Sequence, residues 1–197
     1  MNWPAAPSRE QLFDLLATLS FERRAETMVL ASGLESNLYV DCKQTALHPE
    51  GALALGVHLF EAVKAVEAAT GRTAAGVGGM SIGADPLSTA VSLAALAQGR
   101  HLPAFMVRKD PKGHGTGVYV EGRKNLPDGS PVILLEDVVT TGGSTLRACE
   151  RARSEGLDPF GVAVIVDRQC GGIDNFSEAG LTTHALFTLE QFDKGTL

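Results

Sequence analysis

Pro131-Val132-Ile133-Leu134-Leu135-Glu136-Asp137-Val138-Val139-Thr140-Thr141-Gly142-Gly143-Ser144 reads as a strand, a turn and the start of a helix. The apolar run between Pro131 and two adjacent carboxylates is too short for a helix. A strand that is apolar on both faces belongs inside a parallel sheet. Glu136 and Asp137 fall at its C-terminal end, which in open α/β sheets faces the ligand crevice. Thr140-Thr141-Gly142-Gly143 can then turn sharply and present several backbone N–H groups, and Ser144 is expected to cap the helix that follows. N–H groups at a helix N-terminus attract anions, so an anion binder stands just beyond two carboxylates. A ligand carrying both a phosphate and hydroxyls fits that arrangement.

The segments on either side alternate between strand and helix. Upstream, Ser8 is expected to cap a helix to about Ser20, with Leu12, Leu15, Leu16 and Leu19 on one face. Residues 28–33 and 38–42 read as a hairpin. A helix over residues 51–69 has Leu53, Val57, Phe60 and Val63 or Lys64 on its buried face and Gly71 as its stop. Residues 74–80 form a strand. Asp85-Pro86 reads as an N-cap and first helical residue, opening a helix to about Gln98 that is apolar nearly all round and therefore expected to be buried. Strands over 102–107, 118–121, 160–166 and 185–188 complete the set. Such alternation implies an α/β fold with a central parallel β-sheet flanked by helices on both faces.

Composition narrows the function classes. The 197 residues, 44% hydrophobic, suffice for one well-buried domain, and disorder is not expected. Seventeen Lys plus Arg against 23 Asp plus Glu give a net charge of −6, which argues against a nucleic-acid surface. Cys42, Cys149 and Cys170 are odd in number and form no C-x-x-C, so neither a disulfide framework nor a zinc site is indicated, and a reducing cytosol suits them. No signal-like start and no membrane-length apolar run is visible, so the chain is expected to be soluble and cytoplasmic.

The commoner phosphate motifs are absent. There is no G-x-x-x-x-G-K-[ST], and Gly76-Val77-Gly78-Gly79-Met80-Ser81 fails G-x-G-x-x-G at its last position. A second informative stretch is Arg108-Lys109-Asp110-Pro111-Lys112-Gly113-His114-Gly115, three cations and a histidine in an acidic protein, with glycines that leave the backbone free. From composition alone a solvated charged loop is the favoured reading, and a catalytic lid that grips a polyanion is the other.

The run from Val132 to Ser144 resembles the phosphoribosyl-pyrophosphate signature of type I phosphoribosyltransferases. R-K-x-x-K-x-H-G after a strand is similar to the flexible loop of orotate phosphoribosyltransferases. The resemblance to that family runs from about residue 20 to 190. Leu30-Ala31-Ser32-Gly33 and Ser36-Asn37-Leu38-Tyr39 resemble its hood over the base, Ile82-Gly83-Ala84-Asp85-Pro86 its pyrophosphate-side loop, and Asp167-Arg168-Gln169 the strand end whose arginine meets the orotate carboxylate. A guanidinium pairs bidentately with a carboxylate, a reason for arginine at 168, while a strand-end salt bridge is the bland alternative. The chain departs from the pattern at Ala31, Leu34, Glu35 and Ile82-Gly83, where many relatives carry basic residues or an aromatic-lysine pair, and its tail after Leu189 is short.

The resemblance implies a single phosphoribosyltransferase domain over residues 1–197, with a hood at about 20–45 and a core at about 50–190. It implies Mg²⁺-dependent transfer of the phosphoribosyl group from phosphoribosyl pyrophosphate to orotate, giving orotidine 5′-monophosphate and pyrophosphate in pyrimidine biosynthesis. Asp137, Glu136 and Lys112 are the implied catalytic residues. Arg108, Lys109, Lys112, His114, Glu136, Asp137, Val138, Val139, Thr140, Thr141, Gly142, Gly143 and Ser144 would bind the donor, and Thr140 and Arg168 orotate. Mg²⁺ would be held mainly through substrate oxygens, with water-mediated contact at Glu136 and Asp137 left open. A homodimer with shared active sites is implied, with no nucleic-acid or membrane partner. Two other readings remain: a phosphoribosyltransferase for a purine or uracil, and a non-catalytic regulator that senses phosphoribosyl pyrophosphate. The hood and Arg168 speak against the first, and the absence of a basic DNA-binding segment against the second.

Overall fold

The computed structural model describes residues 4–29, 35–111 and 117–197. Helix α1 (Arg9–Leu19) begins where expected, because Ser8 and Gln11 satisfy each other's backbone N–H groups in a capping box. It leads into β1 (Phe21–Val29), which pairs antiparallel with β2 (Glu35–Val40) in a separate two-stranded ribbon. The expected hairpin is present, but β1 starts seven residues early. Its first seven residues, Phe21-Glu22-Arg23-Arg24-Ala25-Glu26-Thr27, are too polar to read as a buried strand, and Phe21, Glu22 and Arg23 are held by pairing with Val40, Tyr39 and Leu38 instead. The short helix α2 (Lys43–Ala46) joins this ribbon to α3 (Pro49–Thr70).

Helix α3 ends at Gly71, whose left-handed backbone (φ 65°) closes it as the sequence suggested. Its buried stripe differs from the expected one. Ala54, Leu55, Leu59, Phe60, Val63 and Val66 face the core, while Leu53 and Val57 lie half-buried on the flank and Lys64 pairs with Glu61. The long helix carries apolar residues around most of its girth, so spacing alone does not decide which stripe packs.

A six-stranded sheet follows, built from β3 (Gly76–Met80), β4 (Ala104–Val107), β5 (Val120–Glu121), β6 (Pro131–Val139), β7 (Asp158–Asp167) and β8 (Thr182–Thr188). The spatial order is β5-β4-β3-β6-β7-β8, parallel except for β5. Helices α4 (Ala84–Ala97), α5 (Gly143–Ser154), α6 (Gly172–Glu178) and α7 (Leu189–Lys194) complete the chain. Side chains alternate along β6. Ile133 and Leu135 pack with α1, α3 and α4 on one face, and Val132 and Leu134 with α5 and α6 on the other. All four are fully buried, each burial contributing about 1.5–3 kcal/mol. After β3 the chain moves outward to β4 and β5, then returns to β6 on the other side of β3. The order therefore reverses between β3 and β6, where an open α/β sheet leaves its crevice.

Three helix expectations are corrected. Helix α4 starts at Ala84, so Asp85 and Pro86 sit inside its first turn, and Asp85 accepts a hydrogen bond from the Ser81 hydroxyl (2.8 Å) instead of capping. Proline is tolerated there because first-turn N–H groups have no intrahelical acceptor. Nor is α4 buried all round: Leu87, Val91, Ala94 and Ala95 are, but Leu93 and Leu96 stay 44% and 60% exposed. Ser144 does not cap α5; the cap is Gly142.

Candidate active site

Strand β6 runs two residues past Asp137, so the acid pair lies within its last turnings toward the crevice, and alternation sends the two carboxylates different ways. Glu136 points to the α5 side. Its Oε2 accepts hydrogen bonds from the hydroxyls of Thr145 and of Ser144 (3.1 Å), and the residue is only 7% exposed. Burial, reinforced by the neighbouring Asp137 carboxylate, pushes its pKa up to about 8 against the pull of the two hydroxyls. Asp137 points toward the turn after β3. Its Oδ1 accepts from the Val138 N–H (2.9 Å), and a Cβ at Gly83 would lie 2.8 Å from the same oxygen. Glycine at 83 therefore leaves the carboxylate room.

Beyond β6 the chain turns through Thr140, Thr141 and Gly142. Gly142 has a φ of 78°, and a Cβ there would lie 2.4 Å from the Phe176 ring, so both backbone and space require glycine. Helix α6 braces the turn, Asn175 donating to the Thr141 carbonyl (2.9 Å). No side chain caps α5. Its first turn faces a cavity of about 270 Å³ lined by Glu136, residues 138–144 and Arg147. N–H groups of a helix start, an αL turn and a guanidinium make this cavity suited to a phosphate. The sequence reading missed Arg147. Its signal is the helical interval of four from Gly143, which brings it over the same end of the helix.

A second cleft, of about 300 Å³, opens on the other side of the acid pair. The turn after β3 (Ser81, Ile82, Gly83), Lys43, Lys109, Glu136, Asp137 and Ser144 form its walls. It occupies the place where the sheet order reverses. Of the expected basic residues, Lys109 reaches this cleft, whereas Arg108 pairs with Glu121 on β5 (3.2 Å). Lys112 and His114 lie outside the described residues, as do Ala31 and Leu34.

Arg168 follows β7, its N–H donating to the Val139 carbonyl (2.9 Å), which sets the ends of β6 and β7 side by side. The guanidinium is buried and donates to the Leu38 carbonyl of β2 (3.3 Å), so it spans from the sheet to the ribbon. Burial draws its pKa down from the usual arginine value. The site thus collects two acids, a cavity suited to a phosphate, a cleft that sets Lys43 and Lys109 beside Asp137, and an arginine under the ribbon. Among the described residues no group of three or more His, Cys, Asp or Glu is placed to hold a metal ion, and no helix is long and apolar enough to cross a membrane.

No protein-family model matches the chain. An orotate phosphoribosyltransferase of Sorangium cellulosum is 44% identical over 192 residues, covering 98% of this chain and 96% of the relative. One from Nostoc is 42% identical over 191 residues, covering 95% and 88%. Among solved structures, Mycobacterium tuberculosis orotate phosphoribosyltransferase in complex with 5-phospho-α-D-ribosyl 1-diphosphate superposes with a TM-score of 0.73 at 32% identity, covering 95% of this chain and 99% of that one.

Proposed function

The chain belongs to the orotate phosphoribosyltransferases, and on that premise we propose that it transfers the phosphoribosyl group of phosphoribosyl pyrophosphate to orotate, giving orotidine 5′-monophosphate and pyrophosphate. The observation that carries the reading is the placing of the β6 acids between two anion-friendly spaces at the reversal of the sheet order. The donor has the same layout, a ribose between a 5′-phosphate and a pyrophosphate.

The 5′-phosphate would take the N–H groups of residues 140–144, with Arg147 over them. As pyrophosphate departs, positive charge develops at the sugar carbon, and a preorganised carboxylate facing it lowers the barrier. Asp137 suits that task better than Glu136. It faces the open cleft, while Glu136 is buried with its pKa raised and its Oε2 committed to holding the start of α5. Lys109, Lys112 and His114 would receive the pyrophosphate. Arg168 would face the orotate carboxylate, and Thr140 the base; no covalent nucleophile is needed.

Two adjacent carboxylates, with no group of three or more His, Cys, Asp or Glu among the described residues, fit Mg²⁺ held mainly by substrate oxygens, and Asp137, which faces the cleft, would contribute directly or through water. When bound, Mg²⁺ would neutralise charge on the leaving pyrophosphate. A homodimer with shared sites is part of the proposal, as the resemblance of the charged loop at residues 108–115 implies. One domain spans the chain, the ribbon acting as the hood. The test is to incubate the protein with phosphoribosyl pyrophosphate and Mg²⁺ and offer orotate, uracil, adenine and hypoxanthine in parallel. Consumption of orotate alone is expected; turnover of another base in its place would overturn the assignment of the base.

A further inference from the structure

Two cations line the cleft beside Asp137 among the described residues, and they come from different parts of the chain. Lys109 stands at the start of the charged loop. Lys43 stands on α2, just after the hood, and no motif marks it. Its ammonium lies 2.5 Å from Asp41 Oδ1, and Asp41 is itself held by the Gln44 side chain (3.1 Å) and by the Lys43 N–H (3.2 Å). The side chain remains 41% exposed, so a ligand can reach it. The neighbouring Asp137 carboxylate also acts on it, helping Asp41 to raise its pKa.

An ammonium has three donors, and Asp41 needs only one of them. A donor molecule with its 5′-phosphate in the α5 cavity and its ribose on the acids must place its other anionic end in this cleft. There it meets Asp137, a like charge, and Lys43 can offset that charge alongside Lys109 from the charged loop. Gly83 contributes no side chain to that wall. We propose that Lys43 is a binding residue for the pyrophosphate group of the donor, presented by Asp41 from the hood side of the cleft. The inference rests on the reading of the site given above and adds to it a residue fixed on the helical framework.

The test uses the full-length protein with Mg²⁺ and isothermal titration of two probes, inorganic pyrophosphate and ribose 5-phosphate. Losing one charge-assisted contact in a partly exposed site should weaken pyrophosphate on the order of tenfold in Lys43→Met. Ribose 5-phosphate, which needs only the α5 cavity and the acids, should bind as in the wild type. Lys43→Arg, which keeps the charge, should restore pyrophosphate binding to within about threefold, and the unchanged ribose 5-phosphate affinity separates this role from a merely structural one. In steady state the loss should appear in the KM for the donor, with the KM for orotate unchanged. Lys43→Gln repeats the measurement if the methionine variant melts early. Unchanged pyrophosphate affinity, or an equal loss for ribose 5-phosphate, overturns the proposal. If the wild type prefers another base while Lys43→Met still loses pyrophosphate, the base assignment fails and the role of Lys43 stands.

Discussion

Glu136 and Asp137 are adjacent in sequence and read as one feature, yet their environments separate them. A carboxyl whose folded pKa is raised to about 8 binds a proton that the unfolded chain, near 4.5, has released between those values. The folded state therefore has this stability in full below about pH 4.5 and loses it as pH rises through 8. Denaturant unfolding of the ligand-free protein between pH 5 and pH 9 should show that decline, and Glu136→Gln should flatten it and leave the variant the more stable at pH 9. An identical slope in the variant would mean that Glu136 is ionised throughout. Arg168 supports a second expectation, since its guanidinium donates to the Leu38 carbonyl of the ribbon and does not line the α5 cavity. Arg168→Ala should raise the orotate KM by at least tenfold, the scale of one lost charge-assisted pair, with ribose 5-phosphate affinity unchanged. Normal orotate kinetics would remove it from the base site. Residue type was enough to single out these positions as candidates, because bidentate pairing needs arginine and charge compensation needs acid. The contrast between the two acids was not legible, since burial depends on Thr145 and Ser144 returning from the next helix.

Among the elements, the turn between β6 and α5 is the most tightly specified. Gly142→Ala introduces a Cβ at positive φ and against Phe176, two penalties that together should cost about 1–3 kcal/mol. The unfolding midpoint and the ribose 5-phosphate affinity should fall together, because the same turn aims the N–H groups. A variant that binds the phosphate normally would show that the turn tolerates another backbone path. Glycine at this position was visible in the sequence as turn chemistry. Helix α6, which makes the glycine indispensable, was not visible: seven residues led by two glycines carry no usable periodicity. Helix α7, six residues long, is likewise too short to show periodicity, though its Phe192 stacks on Phe21 of the ribbon (3.9 Å) and on Phe13 (4.4 Å). A short tail thus becomes the brace that ties the two-stranded ribbon to the first helix.

For the whole molecule, the proposal of shared sites has a numerical consequence. If the charged loop of one subunit serves the site of its partner in a two-fold dimer, Lys112→Ala and Arg168→Ala homodimers should each be nearly inactive. A mixed dimer keeps one intact site, and random reassembly makes about half of the dimers mixed, so activity should return to roughly a quarter of the wild type. Mass labelling would establish exchange; exchange without recovered activity would place each loop over its own subunit. The sequence by itself determined the α/β class, the central parallel strand, the glycine turn that follows it and the acids at its end. These depend on neighbours a few residues apart, where apolar runs, turn residues and helix starts act locally. Only the tertiary structure decided the sheet order that reverses between β3 and β6, the buried stripe of α3, and the arrival of Lys43 beside Asp137 and Lys109, both far from it in sequence. Those outcomes are set by which surfaces pack when the whole chain closes, a choice among contacts distant in sequence that no short window contains.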